Sequence, residues 1–282
     1  LIAWLGTGLL GANFVRKLLE RGEEVHVWNR TAEKARALEA EGAKAFDTPA
    51  DAVRGASEIH VTLSDDAVVD SVLEPLADLI LPTAFVADHT TTAPTPTGER
   101  VRRWTDRGRT FVHAPVFMGP PNARDATGIM LLSGDPQIRE RVKPRLAPMT
   151  GKIVELGDDP SCAAAFKLFG NMMLLVITGG LADVFTLARS LGIEPKDAHA
   201  LFSEFNPGNA IQGRGKQMAE GRFTPPSFEL TMARKDLRLM TEEAARHGSK
   251  LDVVPCVESL MDRYIAAGFG DADAGIVGSG RA

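Results

Sequence analysis

The sequence is poor in the features that mark several large protein classes. It has two cysteines in 282 residues, Cys162 and Cys256, far apart and in no C-x-x-C pattern. That usage gives neither a disulfide framework nor a zinc signature, and it fits a reducing, cytoplasmic setting. The six histidines show no H-E-x-x-H or H-x-H spacing and no compact cluster with carboxylates, so no metal site is expected. A G-x-S-x-G elbow and a P-loop G-K-[S/T] are absent, which removes the common hydrolase and kinase signals. Basic excess is missing as well: the formal net charge of -5 argues against nucleic-acid binding. Arg100, Arg102, Arg103, Arg107 and Arg109 crowd one predicted helix and its end, and read as a solvated face. No apolar run reaches the roughly 18 to 20 residues of a membrane span, so no membrane association is expected. The chain opens on Leu1 rather than methionine, so its natural start is expected upstream; no secretory signal is evident.

What is present is the composition of an ordinary globular protein, with 44% hydrophobic and 24% charged residues, at a length that suits two domains. The first half alternates short apolar runs (2–5, 24–28, 58–63, 84–88 and 110–116) with helix-like stretches (12–21, 32–41, 66–73 and 95–108). Near-continuous apolar strands alternating with helices predict a parallel sheet covered on both faces. Two more runs, 129–133 and 152–155, flank a helix near 138–147 and are expected to extend that sheet. After Gly157 the pattern changes. Residues 161–191 read as one long helix, with Phe166, Phe169, Met173, Ile177, Leu181 and Val184 at helical spacing, and helical segments recur to the end. The expectation is an α/β N-terminal domain over 1–157 and an all-helical domain over 158–282, for substrate binding and oligomerisation.

The motif that organises the first domain is Gly6-x-Gly8-x-x-Gly11, directly after the first strand and opening the first helix. The first glycine permits a tight turn, the second lets a diphosphate approach the backbone, and the third lets helix and strand pack closely. The diphosphate then meets the amides of the helix start, here Thr7, Leu9 and Leu10 with the glycines, where the helix dipole favours an anion. Strand–turn–helix context and a second strand at the right distance make this a strong signal for a doubly wound, mainly parallel Rossmann-type dinucleotide domain. The end of the second strand sets cofactor choice. A carboxylate there would hold the ribose hydroxyls of NAD(H) and repel a 2′-phosphate. Asn29, Arg30 and Thr31 stand there instead, and a guanidinium pairs with a phosphate, so NADP(H) is favoured over NAD(H). The alternative is that Arg30 is merely a surface residue.

At this point the sequence resembles the β-hydroxyacid dehydrogenase family, which includes 3-hydroxyisobutyrate dehydrogenases and glyoxylate/succinic semialdehyde reductases. Four blocks match in order: GTGLLGANFVRKLLERGEEVHVWNRT; DHTTTAP, like D-x-S/T-T-x-x-P; APVFMG followed by TGIMLLSGD; and Lys167-x-x-x-Asn171 with a later segment from Phe228 to Asp236. The resemblance implies an interdomain active site with Lys167 as catalytic residue. It places Thr91 near the nicotinamide, Leu63 and Ser64 along the cofactor cleft, and Lys235 reaching the cofactor from the helical domain. It also implies a homodimer or homotetramer built through the helical domains. The sequence departs from the family where a Ser-Gly-Gly grip usually holds a substrate carboxylate: Phe117 and Met118 replace the first two residues and only Gly119 matches. His113 stands where the family usually has Asp.

Hydride transfer to a carbonyl leaves a developing alkoxide, which calls for a proton donor or a positive charge beside it. Lys167, amid apolar neighbours early in the long helix, meets both needs, and Asn171 four residues on shares its face and could bind the substrate oxygen. The bland reading of the pair is a snorkelling surface lysine with a solvent-facing asparagine. His113 reads as a structural histidine beside a strand. Phe117, Met118 and Gly119 are expected to line a substrate pocket reshaped for a bulkier or less charged carbonyl or imine. The function expected is NADP(H)-dependent interconversion of a small carbonyl compound and its hydroxy acid. Imine reduction, or a non-catalytic NADP-sensing or scaffold role, is the alternative.

Overall fold

The structure is a computed structural model describing residues 1–282. Nine strands are present: β1 (Ile2–Leu5), β2 (Val25–Trp28), β3 (Lys44–Ala45), β4 (Glu58–Val61), β5 (Phe85–Asp88), β6 (Thr110–His113), β7 (Val116–Phe117), β8 (Ile129–Leu132) and β9 (Lys152–Glu155). Between them run α1 (Leu9–Glu20), α2 (Ala32–Arg36), α3 (Pro49–Val53), α4 (Asp66–Leu73), α5 (Pro94–Asp106), α6 (Pro120–Asp125) and α7 (Pro136–Leu146). The chain then turns helical, with α8 (Cys162–Ser190), α9 (Pro195–Glu204), α10 (Asn209–Ala219), α11 (Leu230–Arg246) and α12 (Val254–Ala266). Two compact units result, Leu1–Met172 and Met173–Ala282, which part inside α8.

Six strands form one parallel sheet in the order β3-β2-β1-β4-β5-β6. Alternate side chains feed two cores. Ile2 and Trp4 join Phe14, Val15 and Leu18 of α1 on one face, while Ala3 and Leu5 join Ile59, Val61, Val69 and Leu73 on the other. This is why the central strands are apolar without alternation. The strand order reverses between β1 and β4, and a crevice opens there beyond the carboxyl ends of the strands, where open α/β sheets bind ligands.

Three local expectations need correction. Residues 110–116 are not one strand. Pro115, which lacks an N–H, ends β6 and starts a bend, and its carbonyl accepts from Leu131 N at 2.9 Å. The runs 129–133 and 152–155 therefore do not extend the main sheet; they form a separate sheet β7-β8-β9, antiparallel and then parallel. Helix 32–41 also breaks, into α2 and a 3₁₀ turn Glu39–Glu41 closed by Gly42 in the left-handed region at φ 104°.

One helix nevertheless meets the length and composition of a membrane span without an unbroken apolar run. By length and composition α8 can cross a membrane, with 29 residues and a mean hydropathy of 1.7 in its most apolar window. Asn171, Thr178, Gly179 and Gly180 interrupt the strictly apolar runs without lowering that mean far. The part of α8 in the second unit is also tied down by a charge. Asp183 is buried and accepts from Asp252 N, Val253 N and Val254 N at 2.8, 2.9 and 2.8 Å, capping the entry to α12. A small core of Phe223, Leu230, Ala233, Tyr264, Ala274 and Ile276 completes that unit.

Candidate dinucleotide and catalytic site

The Gly6–Gly11 turn owes its shape to close contacts on two sides. Gly6 has φ 101°, and a Cβ there would strike the Thr62 carbonyl. At Gly11 a Cβ would strike the Gly6 carbonyl and Thr62 Oγ1. Gly8 differs: nothing lies within 4 Å of its Cβ direction, so its open face is free for a bound group. Helix α1 begins next to it, with no acidic residue in the first turn and with Leu9 exposed. The amides of Leu9, Leu10 and Gly11 precede the first intrahelical bond, from Ala12 N to Gly8 O at 2.9 Å, so they remain available to an anion. Thr7 Oγ1 is buried without a partner beside them. An open glycine, unpaired helix-start amides and an orphaned hydroxyl fit a dinucleotide diphosphate.

Beyond Gly8 a cleft of about 390 Å³ runs along Trp28, Asn29, Arg30, Thr31 and Lys34 on one side and Thr62, Leu63, Ser64, Val68 and Ser71 on the other. Arg30 and Thr31 reach it as the sequence suggests, and both are exposed. Asn29 plays an internal part: its Oδ1 accepts from Thr7 N at 3.0 Å and its Nδ2 donates to Thr31 O at 2.9 Å, bracing the glycine turn against β2. The Ser64 hydroxyl donates to Asp65 Oδ2 at 2.8 Å. Sequence reasoning missed Lys34, a second cation on the cleft wall, in the first turn of α2 just past Arg30 and Thr31. It missed Thr62 too, whose hydroxyl donates to Gly6 O at 2.5 Å and accepts from Trp4 Nε1 at 2.9 Å, fixing the turn from below. No carboxylate lines the cleft.

Lys167 lies on the first turns of α8, a helix begun by Asp159, whose Oδ1 accepts from Ser161 N at 2.9 Å, and by Ser133, whose Oγ accepts from Ala163 N at 3.0 Å. Only 9% of Lys167 is exposed, and its Nζ stands 4.3 Å from the centroid of the Phe117 ring. Burial pushes the ammonium below its ordinary pKa, and no charged side chain offsets the effect. Phe117 in turn packs against Gly170, where an added Cβ would run into the ring and force it to shift. Asn171 is half-buried one turn beyond Lys167.

Phe117 and Lys167 are thus brought together. Met118 packs on the first core and over Gly128, with its Cγ 2.9 Å from where a Gly128 Cβ would sit. Gly119 opens α6 and donates its N–H to Asn122 Oδ1 at 2.9 Å. Thr91 is exposed between buried Thr90 and Thr92. Lys235 sits exposed on α11 in the second unit, paired with Asp236 at 2.9 Å.

A six-stranded sheet of order 3-2-1-4-5-6, with a glycine turn and an anion-ready helix start at its reversal point, defines a nicotinamide-dinucleotide-binding protein. Residues 1–157 match the model of the NAD binding domain of 6-phosphogluconate dehydrogenase, and residues 162–278 match that of the NAD-binding region of NADP-dependent 3-hydroxyisobutyrate dehydrogenase. The chain belongs to this β-hydroxyacid dehydrogenase-like family of NAD(P)-dependent oxidoreductases. It is 29% identical over 279 residues to the uncharacterized oxidoreductase YfjR of Bacillus subtilis, covering 96% of each chain. It is 31% identical over 245 residues to the cytokine-like nuclear factor N-PAC of Homo sapiens, covering 84% of this chain and 43% of that protein. In fold it resembles an imine reductase from Myxococcus stipitatus in complex with NADP+, with a TM-score of 0.91 at 20% identity over 98% of both chains.

Proposed function

We propose that the protein transfers hydride between NADP(H) and a small carbonyl compound, interconverting an aldehyde or keto acid of the glyoxylate or succinic semialdehyde type with its hydroxy acid. The observation that carries this reading is the Lys167 ammonium, buried against an aromatic face with no ion-pair partner. A structural lysine keeps its head in water or pairs it. One that does neither holds its proton weakly and can act as an acid and a base. The bound cofactor supplies or accepts the hydride. Lys167 gives its proton to the developing alkoxide, and in the reverse direction its neutral amine, favoured by desolvation, takes the proton from the alcohol. Asn171 orients the substrate oxygen. The Phe117 ring, where a small polar residue would leave room for a carboxylate, supports a bulkier or less charged carbonyl.

The preference for NADP(H) rests on Arg30 and Lys34 along a cleft that lacks a carboxylate. The proposed roles of Leu63, Ser64 and Thr91 follow from the loops that carry them, and Lys235 is proposed as a cofactor contact on resemblance alone. Imine reduction is a second reading. The fold likeness to an imine reductase suggests it, and the Phe117 ring favours it, because an aromatic face that receives an ammonium also receives an iminium ion.

We also propose that the protein works as a homodimer or homotetramer through its helical half. Six consecutive residues of α8, from Met172 to Ile177, are apolar and exposed, and a second copy would cover them. Sedimentation should give a multimer, and a monomer at micromolar concentration would refute this. The catalytic reading is tested by NADPH oxidation against small aldehydes, keto acids and cyclic imines, with Lys167→Ala alongside. Turnover of a carbonyl that collapses in the variant supports it; activity indifferent to Lys167 overturns it.

A further inference from the structure

A buried polar pair lies beneath the DHTTTAP loop, and the proposed chemistry makes no use of it. Asp88 ends β5 and His113 ends β6, directly opposite one another in register. Both are almost wholly buried. Each uses one side-chain atom to hold the loop. Asp88 Oδ1 accepts from Thr90 N at 2.9 Å, while His113 Nε2 faces Thr90 O at 2.9 Å and Thr92 Oγ1 at 3.0 Å. A carbonyl oxygen can only accept, so Nε2 carries a proton and donates. The other atom of each group, Asp88 Oδ2 and His113 Nδ1, is buried with no partner.

With Nε2 holding the ring N–H, His113 Nδ1 and the carboxylate Oδ2 are both acceptors, and two such orphaned atoms on opposed residues call for a dissociable proton between them, since unsatisfied buried polar atoms are costly and rare. Their surroundings fix how many protons that is. Arg100, fully buried on α5, binds Asp70 Oδ1 through Nε at 2.6 Å and Asp66 Oδ1 through Nη2 at 3.0 Å, and its Nη1 is also unpartnered. Its field reaches both Asp88 and His113, as does that of Asp66 at His113, and His113 in turn acts on His89. With no dissociable proton the pair is a buried anion; with two it is a buried cation beside a guanidinium. One proton leaves it neutral overall. Burial raises the carboxyl and lowers the imidazole, which brings the two groups towards equal hold on it.

We propose that Asp88 and His113 share a single dissociable proton through one bridging water, and that this pair positions the Thr90–Thr92 backbone beside the dinucleotide cleft. The link to the cleft is on the same loop: Thr90 Oγ1 accepts from Leu63 N at 2.9 Å, and Leu63 lines the dinucleotide cleft. Both are positioning residues. Because the pair behaves as one coupled group, neither member titrates as an isolated side chain.

The test is nitrogen NMR of the chain labelled in its histidines, with the His113 signals assigned by their loss in His113→Gln. In the wild type, His113 should keep one protonation pattern between about pH 5 and 8, where a free imidazole changes charge. In Asp88→Asn the His113 signals should move to those of a neutral Nε2–H ring. NADPH titration gives the second readout. His113→Leu, which removes the donor, should weaken binding roughly tenfold. His113→Gln, whose amide restores a donor near the Nε2 position, should recover most of the loss. A simple His113 titration near its ordinary value, unaffected by Asp88→Asn, would overturn the shared proton. Wild-type NADPH affinity in His113→Leu would overturn the positioning role.

Discussion

Replacing Arg30 and Lys34 together with alanine removes both cations from the wall of the dinucleotide cleft while leaving its other lining residues in place. Two unit charges about 4 Å apart are worth about 1 kcal/mol in water and about 4 kcal/mol near a protein surface. Both side chains are exposed, so the lower figure applies to each. The pair then contributes about 2 kcal/mol to holding a 2′-phosphate, or roughly 30-fold in Kd. NADH lacks that phosphate and should bind the variant as it binds the wild type. Parallel titrations of NADPH and NADH, followed by protein fluorescence at low and high salt, measure the effect. The NADPH-to-NADH preference should fall by that factor, and the wild-type preference should itself shrink as salt screens exposed charges. Equal weakening of both cofactors, or an unchanged ratio, would refute the assignment of these cations to the 2′-phosphate.

Gly8→Ala and Gly11→Ala should fail in different ways. The first meets no protein atom, so the melting temperature should hold while NADPH affinity falls; the second strikes Gly6 and Thr62, so it should cost about 1 to 3 kcal/mol of stability, read by thermal melting. Burial first, and His60 beside it second, push the His89 imidazole down to about 3. An unfolded histidine takes up a proton near 6.5, so this group favours unfolding progressively as pH falls from about 6.5 towards 3. Denaturant melts across that window should show a smaller loss of stability in His89→Gln than in the wild type, and an identical slope would count against the assignment.

The parts of the fold that could be read from the chain are those set by local demand. Gly6 and Gly11 each answer to a contact a few ångströms away and Gly8 to an open face between them, so their spacing survives in the sequence as a motif. The charge at the end of β2 is equally local. The two-residue strand β3 leaves no period to detect. Pro115 was a readable break, but the direction in which the chain turned after it depended on β8, which no local pattern encodes. The seating of Phe117 against Gly170 and Lys167 joins distant parts of the chain, so the sequence marked Phe117 as unusual without saying what it touches. Met118, its neighbour, points to the first core instead, as alternation along a strand end allows. Asn29 belonged to the right region, but its carboxamide braces the turn from within, a role that strand-end chemistry does not announce.

The central claim is that Lys167 moves the proton that accompanies hydride transfer. Its most direct test is the pre-steady-state rate of NADPH oxidation with a carbonyl substrate found in the panel, in the wild type and in Lys167→Met, which keeps the side-chain volume and removes the proton. The account predicts that NADPH binding is retained while the rate falls by about 10²- to 10⁴-fold. A Lys167→Met rate within a few-fold of the wild type would contradict it.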